Sequence, residues 1–351
     1  MILQTKELKK IINVVKPGLS QKHLVPGMTR LILTGEFIVT YNGQECIHYP
    51  LQTDFSCSIN ASEFIKTIDR LKKPDVHLEI EGNQLVLKSG RIRTKFNIDA
   101  DIKIVSDIIE QIMKEIEEGS AKDEWVEVPE VFTKAVANVA FAASTDKTKQ
   151  TQCCIHSKYG YIIAADIHMG KVGFHFLDDE SIFPEFMIIA KDALSIINAK
   201  VELMFITKAW IHFATEDGVI FSIRKIEGAF PYDAIFKQLE DTSPDLISIK
   251  MPPDISEAIE TTGIFADDED FPILITVSNN LMQFEAKSEM GEGEYESIIE
   301  YEGDKFSFRI NSTLIKYILG VTNEMEIDKE HRKAVFNAGN FWYVMPVRVL
   351  E

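Results

Sequence analysis

The sequence predicts an α+β protein made of three repeats, each about 120 residues long and built from two helices and several antiparallel strands. Three observations predict this. A helix-like segment recurs at constant spacing, a second helix-like segment recurs with it, and the residues between them alternate between apolar and polar types. Such alternation is typical of half-buried strands, whereas apolar residues three and four positions apart are typical of amphipathic helices.

The first helix of each repeat begins at or just after a polar residue or a proline. These positions are Thr5, Pro129 and Pro253, and each lies 124 residues from the next. Apolar residues at helical spacing follow each of them, which predicts three amphipathic helices. The helical segments cover residues 8–15, 131–141 and 255–259.

The second helix of each repeat follows a strand that ends in isoleucine. Ile59, Ile189 and Ile310 are separated by 130 and 121 residues, close to the first spacing. A polar or small residue stands at the cap position after each isoleucine, and an apolar helix face follows. Strands are predicted around these helices at residues 76–80, 84–87, 203–206 and 273–277, with turns at 81–83 and 217–218.

The recurring helices divide the chain into three predicted domains, residues 1–125, 126–248 and 249–351. The length agrees, because 351 residues are enough for two or three domains. Two alternatives remain, three unrelated α+β domains or a period that arises by chance. The joint recurrence of two helices favours repeated domains over both.

Composition predicts a soluble protein of the cytoplasm. Apolar residues make up 45% of the chain, and no apolar run reaches the roughly 18 residues of a membrane span. The N-terminus lacks the apolar segment of a signal peptide. Because Cys46, Cys57, Cys153 and Cys154 show no CxxC spacing, we expect four buried free thiols.

The net charge of −18 argues against nucleic-acid binding by overall electrostatic attraction. However, the six predicted helix segments, with the loop after the third, together carry +5, which leaves −23 for the rest of the chain. If the helices line one surface, that surface attracts DNA weakly while the remainder repels it. Lysines on helices also occur on ordinary solvated faces, and segment 253–266 carries −3.

The chain contains S-G-R-I-R at residues 89–93, G-A-F-P-Y at residues 228–232 and W-Y-V-M-P-V-R at residues 342–348. With residues 263–266, these segments resemble, in the same order, parts of the bacterial and phage DNA polymerase III beta subunit, the beta sliding clamp. The most specific is residues 342–348, W-Y-V-M-P-V-R, which resembles the family's Y-V-V-M-P-M-R-L ending. The other three resemble the family's first-domain strand pair with S-G-R-x-R, its G-K-F-P-D-Y segment and the start of its third domain. They lie at residues 81–93, 228–232 and 263–266.

The resemblance implies three DNA-clamp domains per chain and a homodimer that forms a head-to-tail ring. Such a ring encircles double-stranded DNA without sequence specificity and acts as a polymerase processivity factor. It binds the DNA polymerase and the clamp loader through short peptide motifs. No catalytic residue, metal, cofactor or membrane is implied, and the expected location is the cytoplasm of a bacterium or of a phage-infected cell.

The same resemblance places a peptide groove between the second and third domains. Residues 165–170 read A-D-I-H-M-G where the family has T-D-G-H-R-L, which predicts a more apolar groove. Because only residues 349–351 follow the groove residues, we expect the chain end to lie beside the groove and to form no further element. The expected groove residues are His168, Met169, Pro231, Phe236, Met345, Pro346, Val347 and Arg348.

Two further surfaces are expected. The dimer should close through Ile264 and Phe265 of the third domain, with Val76 of the first as an apolar partner. Basic residues of the first domain should face acidic residues of the third; these are Lys72, Lys73, Arg91 and Arg93, and Glu294, Glu296 and Glu300. DNA should meet the loops after the first helices, at Lys22, His23, Lys147 and Lys149.

Two other functions are consistent with parts of the sequence. The acidic run at Asp267, Asp268 and Asp270 suggests a metal-dependent hydrolase, although it lacks the spacing and central glycine of a calcium loop. Asp166 and His168, two apart on a predicted strand, have the spacing of a ligand pair but no evident third partner. An acidic scaffold or DNA mimic is the other alternative. No nucleotide-binding or hydrolase motif occurs in the chain.

Overall fold

The computed structural model describes residues 1–21, 25–99, 102–158, 160–177, 184–266 and 271–350. The chain separates into two compact units. Unit 1 comprises Met1–Thr133 with Lys191–Ile226, and unit 2 comprises Lys134–Ala190 with Glu227–Glu351. Each unit contains one eight-stranded antiparallel sheet and one smaller antiparallel sheet. The predicted α+β class is therefore confirmed.

Eight helices occur in the described residues, and six of them are the predicted repeat helices. The other two, α3 and α6, were not predicted. The helices are α1 (Thr5–Val15), α2 (Ala61–Asp69), α3 (Lys103–Ala121), α4 (Glu130–Ala140), α5 (Ala190–Ile197), α6 (Tyr232–Glu240), α7 (Ile255–Gly263) and α8 (Ser312–Lys316). No helix in these residues is both long and apolar enough to cross a membrane.

Unit 1 contains twelve described strands. Its eight-stranded sheet has the spatial order β5 (Cys57–Asn60), β2 (Arg30–Leu33), β3 (Phe37–Tyr41), β4 (Glu45–Pro50), β16 (Ile220–Arg224), β15 (Trp210–Thr215), β14 (Val201–Ile206) and β9 (Val126–Glu127). Its four-stranded sheet has the order β1 (Ile2–Gln4), β6 (Asp75–Glu81), β7 (Gln84–Ser89) and β8 (Ile92–Asn97).

Unit 2 contains thirteen described strands. Its eight-stranded sheet has the order β13 (Phe186–Ile189), β10 (Cys154–Lys158), β11 (Tyr161–Asp166), β12 (Lys171–Phe176), β24 (Phe341–Pro346), β23 (Lys333–Ala338), β22 (Glu324–Asp328) and β17 (Ile247–Lys250). Its five-stranded sheet has the order β20 (Gly291–Ile298), β19 (Leu281–Ser288), β18 (Ile273–Ser278), β21 (Phe306–Ile310) and β25 (Arg348–Leu350).

Local sequence explains where several of these elements begin and turn. Asn60 and Asn311 precede α2 and α8, and each side-chain oxygen accepts a hydrogen bond from the backbone of the first helical turn. Such caps satisfy amide groups that the helix leaves unpaired. Between β18 and β19, Asn279 and Asn280 both have positive φ, 44° and 65°. A two-residue hairpin with that backbone matches the twist of the strands, and asparagine tolerates it well.

The eight-stranded sheet of unit 1 is covered by helices on both faces. On β3, the Thr40 hydroxyl donates to the carbonyl of Val15 in α1. The neighbouring Tyr41 points to the other face and packs in a core with α3. That core includes Val105, Ile109, Ile112 and Ile116 of α3 together with Ile32, Val39, Cys46 and Trp210 of the sheet.

The eight-stranded sheet of unit 2 also packs against helices on opposite faces. Gly173 of β12 faces α4, where an added Cβ would lie 3.1 Å from the Cα of Val139. The next residue, Phe174, faces the other way and its ring contacts Phe236 of α6 at a centroid distance of 6.2 Å. Gly173 therefore permits α4 to approach the sheet closely.

The cysteine prediction is confirmed, because all four cysteines are free and buried. Burial raises the pKa of the Cys46 thiol and raises the pKa of Cys57 to about 12. Both thiols therefore stay protonated at neutral pH and act as small apolar groups.

Candidate nucleic-acid and partner interfaces

Three segments that carry expected groove residues meet in unit 2. Strand β12 pairs with β24, with Val172 opposite Val344, which brings the turn before β12 to the end of β24. At that turn an added Cβ on Gly170 would lie 3.7 Å from Pro346. The side-chain amide of Gln238 in α6 donates to the carbonyl of Ile167 in the same turn, at 3.4 Å. The turn, α6 and Pro346 thus form one site.

The expected groove residues differ in exposure. His168 and Arg348 are exposed, and Met169, Pro231, Phe236 and Pro346 are half-buried. Met345 and Val347 are 0% and 3% exposed. This corrects the expectation that their side chains form exposed groove walls, because alternate residues of β24 point to opposite faces and Met345 shares the inner face with Tyr343. Their contribution is packing.

The end of the chain also differs from the expectation. Arg348–Leu350 form β25, which pairs antiparallel with β21, with Arg348 opposite Arg309 and Leu350 opposite Ser307. The prediction that the chain end forms no further element is therefore wrong. The pairing satisfies backbone groups along the outer side of β21, which would otherwise remain a free sheet edge.

Helix α6 is held at the site by polar contacts at both ends. At its start, the Tyr232 hydroxyl bonds to Nδ1 of His156, and burial lowers the pKa of His156 to about 4, so the imidazole is neutral. At its end, the Lys333 ammonium donates to the carbonyl of Gln238 at 2.8 Å and to that of Asp241. A cation at a helix C-terminus satisfies carbonyls that lack internal partners.

Two free sheet edges carry residues expected at the dimer contact. Strand β8 is the edge of the four-stranded sheet and β20 is the edge of the five-stranded sheet. Arg91 and Arg93 are exposed at the first edge, and Glu296 is exposed at the second, with Glu300 just beyond it. Arg93 already contacts Glu81 of its own chain at 2.6 Å.

The apolar residues at these edges are not all those expected. Val76 is fully buried in β6 and offers no surface, which corrects its expected role; Ile92 of β8 is the exposed apolar residue there. Ile264 is 68% exposed. Phe265 is half-buried and packs on β20, because an added Cβ on Gly293 would lie 2.5 Å from its ring.

The basic residues expected to meet DNA are only partly described. Lys22 and His23 lie outside the described residues. Lys147 is exposed in the turn after α4, whereas Lys149 is half-buried and lies 3.7 Å from the carboxylate of Asp146. Lys149 therefore has less free charge than Lys147 to offer a phosphate.

Sequence reasoning did not single out a cleft between α1 and α5 of unit 1. It has a volume of about 970 Å³ and reaches from the helix surface to Phe221 of the sheet. Its rim is basic and polar, with Lys6, Lys10, Asn13 and Asn198 among the lining residues. The signal for it was present in the charge of +3 on residues 6–16.

Asp166 and His168, the pair considered as ligands, lie in different surroundings. Asp166 is buried and its carboxylate accepts the backbone N–H of Met169 at 3.2 Å, which stabilises the turn, while His168 is exposed. Asp267, Asp268 and Asp270 lie outside the described residues. Within the part of the chain that the structure describes, no group of three or more His, Cys, Asp or Glu side chains is placed to hold a metal ion.

Three solved structures share this fold along the whole chain. The DNA polymerase III subunit beta from Pseudomonas aeruginosa matches at 15% identity and a TM-score of 0.71, with 100% of both chains covered. The beta subunit from Thermotoga maritima matches at 15% identity and a TM-score of 0.71, covering 100% of this chain and 98% of that one. The sliding clamp from Bartonella birtlesii, solved with griselimycin bound, matches at 13% identity and a TM-score of 0.72, covering 100% and 99%.

No protein-family profile and no curated protein matches the sequence. The likeness therefore lies in the path of the chain, while most side chains differ from those of the solved structures. Over its full length, the chain has the fold of the DNA polymerase III beta subunit, the bacterial sliding clamp.

Proposed function

We propose that this chain is a DNA sliding clamp, a head-to-tail homodimer that encircles duplex DNA and tethers a DNA polymerase through a peptide groove. The proposal extends the likeness in fold to solved clamps into a likeness in assembly and function. The observation that carries it is the order of strands in the four sheets, which repeats along the chain and leaves two complementary edges.

Each eight-stranded sheet consists of two blocks of four strands. In unit 1, block β5-β2-β3-β4 joins block β16-β15-β14-β9 through the pair β4 and β16. In unit 2, block β13-β10-β11-β12 joins block β24-β23-β22-β17 through the pair β12 and β24. Both joints are antiparallel and both use the strand that closes a three-stranded meander.

The two smaller sheets have the same two kinds of block. The five-stranded sheet contains β21-β18-β19-β20, arranged like β5-β2-β3-β4, and ends at β20. The four-stranded sheet β1-β6-β7-β8 is arranged like β9-β14-β15-β16 and ends at β8. Within each unit, the end strands of the two kinds of block pair with each other. If the same two kinds of block join between chains, β20 of one chain pairs with β8 of the next. Such a contact uses two different surfaces, and it forms a closed ring when the rotation closes.

The same comparison supports three domains with the boundaries 1–125, 126–248 and 249–351. Strands β1–β8 and β9–β16 fall into the first two segments, β17 (Ile247–Lys250) crosses the second boundary, and β18–β24 fall into the third. With β17 counted in the third, each segment supplies one block of each kind. Each also supplies two repeat helices, α1 and α2, α4 and α5, and α7 and α8. Two chains then contribute six domains to the ring.

Charge at the two edges supports this joint. Arg91, Arg93 and Lys95 are exposed at alternate positions at and along β8, so their side chains share one face. The acidic residues of β20 also alternate and are exposed; these are Glu292, Glu294 and Glu296. Opposite charges across paired strands orient the association and accelerate it, while burial of apolar residues contributes most of the affinity.

The helix face of the clamp is proposed to meet DNA weakly. Lys147 and the lysines around the α1–α5 cleft supply positive charge on a chain whose net charge is −18. Contacts of this kind are independent of sequence and weaken as salt increases. A ring that is held by its topology needs no stronger contact, and this role requires no catalytic group in the chain.

The experiment that tests the proposal compares circular with linear DNA. The dimer is dissociated, allowed to reassociate in the presence of a nicked plasmid, and passed through a gel-filtration column in 0.5 M NaCl. We expect it to remain with the circle and to be lost when a restriction enzyme cuts the plasmid. Equal retention on linear DNA, or no retention by a sample that is fully dimeric, would contradict the proposal.

The groove is tested by substitutions at its exposed residues. Replacing Met345 or Val347 with alanine would remove buried packing and cost about 2–5 kcal/mol of folding free energy, which confuses binding with stability. Met169→Glu and His168→Ala reduce this problem, because His168 is exposed and Met169 is only half-buried. Polymerase binding should fall in both variants while retention on circular DNA persists.

A further inference from the structure

Two arginines face each other across the last strand pair of unit 2. Arg348 of β25 is directly opposite Arg309 of β21 in an antiparallel ladder, so both side chains lie on the same face of the sheet. Like charges at such positions repel each other and destabilise the pair unless an anion lies between them. Arg348 is exposed, and Arg309 is half-buried with one guanidinium nitrogen 3.5 Å from the carbonyl of Pro272.

Two more cations lie on the turn beside this pair. The carbonyl of Arg332 accepts the backbone N–H of Val347 at 2.9 Å, which places the exposed Arg332 next to the start of β25. The Lys329 ammonium of the same turn lies 4.6 Å from the ring centroid of Phe306 in β21. Because Phe306 points to the face opposite Arg309, Lys329 lies on the other side of β21, and we define the arginine cluster as Arg309, Arg332 and Arg348.

No carboxylate within the described ranges lies within ion-pair distance of the three arginines, although the chain has 55 acidic residues. On the face that Arg309 shares, the next carboxylate across the sheet is Glu285, and Leu274 of β18 stands between them. Asp328, in the same turn as Arg332, is fully buried and bonded to His331 at 3.0 Å. Glu330 of the same turn is exposed and forms no ion pair with these arginines within the described ranges. The cluster thus concentrates three guanidinium groups beside a single exposed carboxylate of this turn.

The cluster lies at one end of the proposed groove and faces away from the helix side. Arg348 follows Pro346 by two residues, a distance of at most about 7 Å along the backbone. Phe306 and Phe308, which alternate with Arg309 on β21, point into the core, so Arg309 points to the opposite face. DNA on the helix side would therefore not reach these guanidinium groups, whereas a peptide in the groove would.

We propose that the arginine cluster binds acidic side chains that flank the apolar motif of the partner peptide. This inference rests on the proposed function and names the chemistry of the partner. Guanidinium groups hold carboxylates through paired hydrogen bonds, and two arginines on adjacent strands offer two such forks. The cluster makes the groove selective for apolar motifs with acidic neighbours in a protein that repels most acidic chains.

The test compares two fluorescein-labelled decapeptides that share a core of leucine and phenylalanine. One carries two flanking glutamates and the other carries glutamines at the same positions. In 50 mM NaCl the acidic peptide should bind about fivefold to tenfold more tightly by fluorescence anisotropy, as two exposed ion pairs allow, and the difference should shrink in 0.5 M NaCl. The triple variant Arg309→Gln, Arg332→Gln, Arg348→Gln should bind both peptides equally.

A charge-matched control separates the cluster from net charge. Lys114→Gln, Lys122→Gln and Lys208→Gln remove three exposed charges in unit 1 and should leave the preference unchanged. If the triple arginine variant loses stability, the pair Arg309→Glu and Arg348→Glu supplies a second test, because it should prefer a peptide with flanking lysines.

Three outcomes would overturn the inference: equal affinity of the wild type for both peptides, no binding of either peptide, or displacement of the acidic peptide by a 20-base-pair duplex in the wild type only. The last outcome would identify the cluster as a DNA contact. Retention on circular DNA should be unchanged in the triple arginine variant. A failure of this inference is therefore distinguishable from a failure of the proposed clamp function.

Discussion

Replacing Ile264 with aspartate should convert the proposed dimer to monomers. Ile264 is 68% exposed in the single chain, although it is a large apolar residue beside the β20 edge. Full burial of an isoleucine contributes about 1.5–3 kcal/mol, so the exposed part of this side chain can contribute about 1–2 kcal/mol to a joint. The carboxylate adds a further penalty of about 1–2 kcal/mol, because a charged group must be desolvated when the joint forms.

A ring of two chains contains this joint twice. The loss should therefore reach about 4–8 kcal/mol per dimer, which raises the dissociation constant at least thousandfold. Sedimentation velocity at about 1 µM protein measures the result. Phe265 is left unchanged because its ring packs against Gly293, so its loss would disturb the fold as well as the joint.

Ile104→Asp is the matched control for this experiment. Ile104 is 64% exposed on α3, which packs on the eight-stranded sheet of unit 1 and not on the sheet that ends at β8, so its variant should sediment as the wild type does. An Ile264→Asp protein that remains dimeric at the same concentration would refute the proposed joint. Loss of the dimer in both variants would show that any added charge is enough, and would remove the support for this surface.

Three other predictions follow from single residues. Burial raises the pKa of Glu45 to about 8, so the stability that its protonated form contributes is fully present below the unfolded pKa and is lost as pH rises through 8. Between pH 5 and pH 9 the unfolding free energy of Glu45→Gln should therefore rise by about 4 kcal/mol relative to the wild type, measured with urea. Gly119→Ala should lower the melting temperature despite the better helix propensity of alanine, because the new Cβ would lie 2.4 Å from the Phe205 ring. Lys147→Gln should reduce the salt dependence of DNA retention by close to one unit of slope, and Lys149→Gln should reduce it less, since Lys149 is paired with Asp146.

The repeat helices and strands were predictable because their signals are local. Periodic apolar residues define an amphipathic helix within a few turns, and the asparagines before α2 and α8 mark where those helices begin. The alternation that predicted residues 76–80 as a strand is seen in β6. These patterns depend only on neighbouring residues, so a single sequence contains them.

The predictions that were corrected depend on what covers each face of a sheet. Alternation shows that Val76 and its neighbours lie on different faces, but it does not show which face a helix will bury. The same limit applies to Met345, which points towards the helix side of β24 and not into the groove. Strand β25 depends on a free edge at β21, which only the three-dimensional pairing reveals.

Helix α3 is a different case, because its signal was present in the sequence. Val105, Ile109, Ile112 and Ile116 are spaced by three or four residues, and all four are buried in the core with Trp210. Recurring segments reveal only elements that repeat, and no other helix in the described residues is as long as the 19 residues of α3.

The two helices outside the repeat pattern bear on where we propose that a peptide binds. Each follows the last strand of a block, α3 after β8 and α6 after β16, and each packs on the sheet face opposite the repeat helices. With 19 residues, α3 covers its face well enough to leave Trp210 only 6% exposed. Helix α6 has only nine residues and covers its face less completely. On that face, which also carries Phe174 and Pro346, Phe176 is 45% exposed and Trp342 is 39% exposed. The length of the connecting helix therefore decides which sheet face keeps exposed apolar surface, and that face is in unit 2. The turn at His168 and the chain end also meet there, which supports the proposed peptide groove at this place.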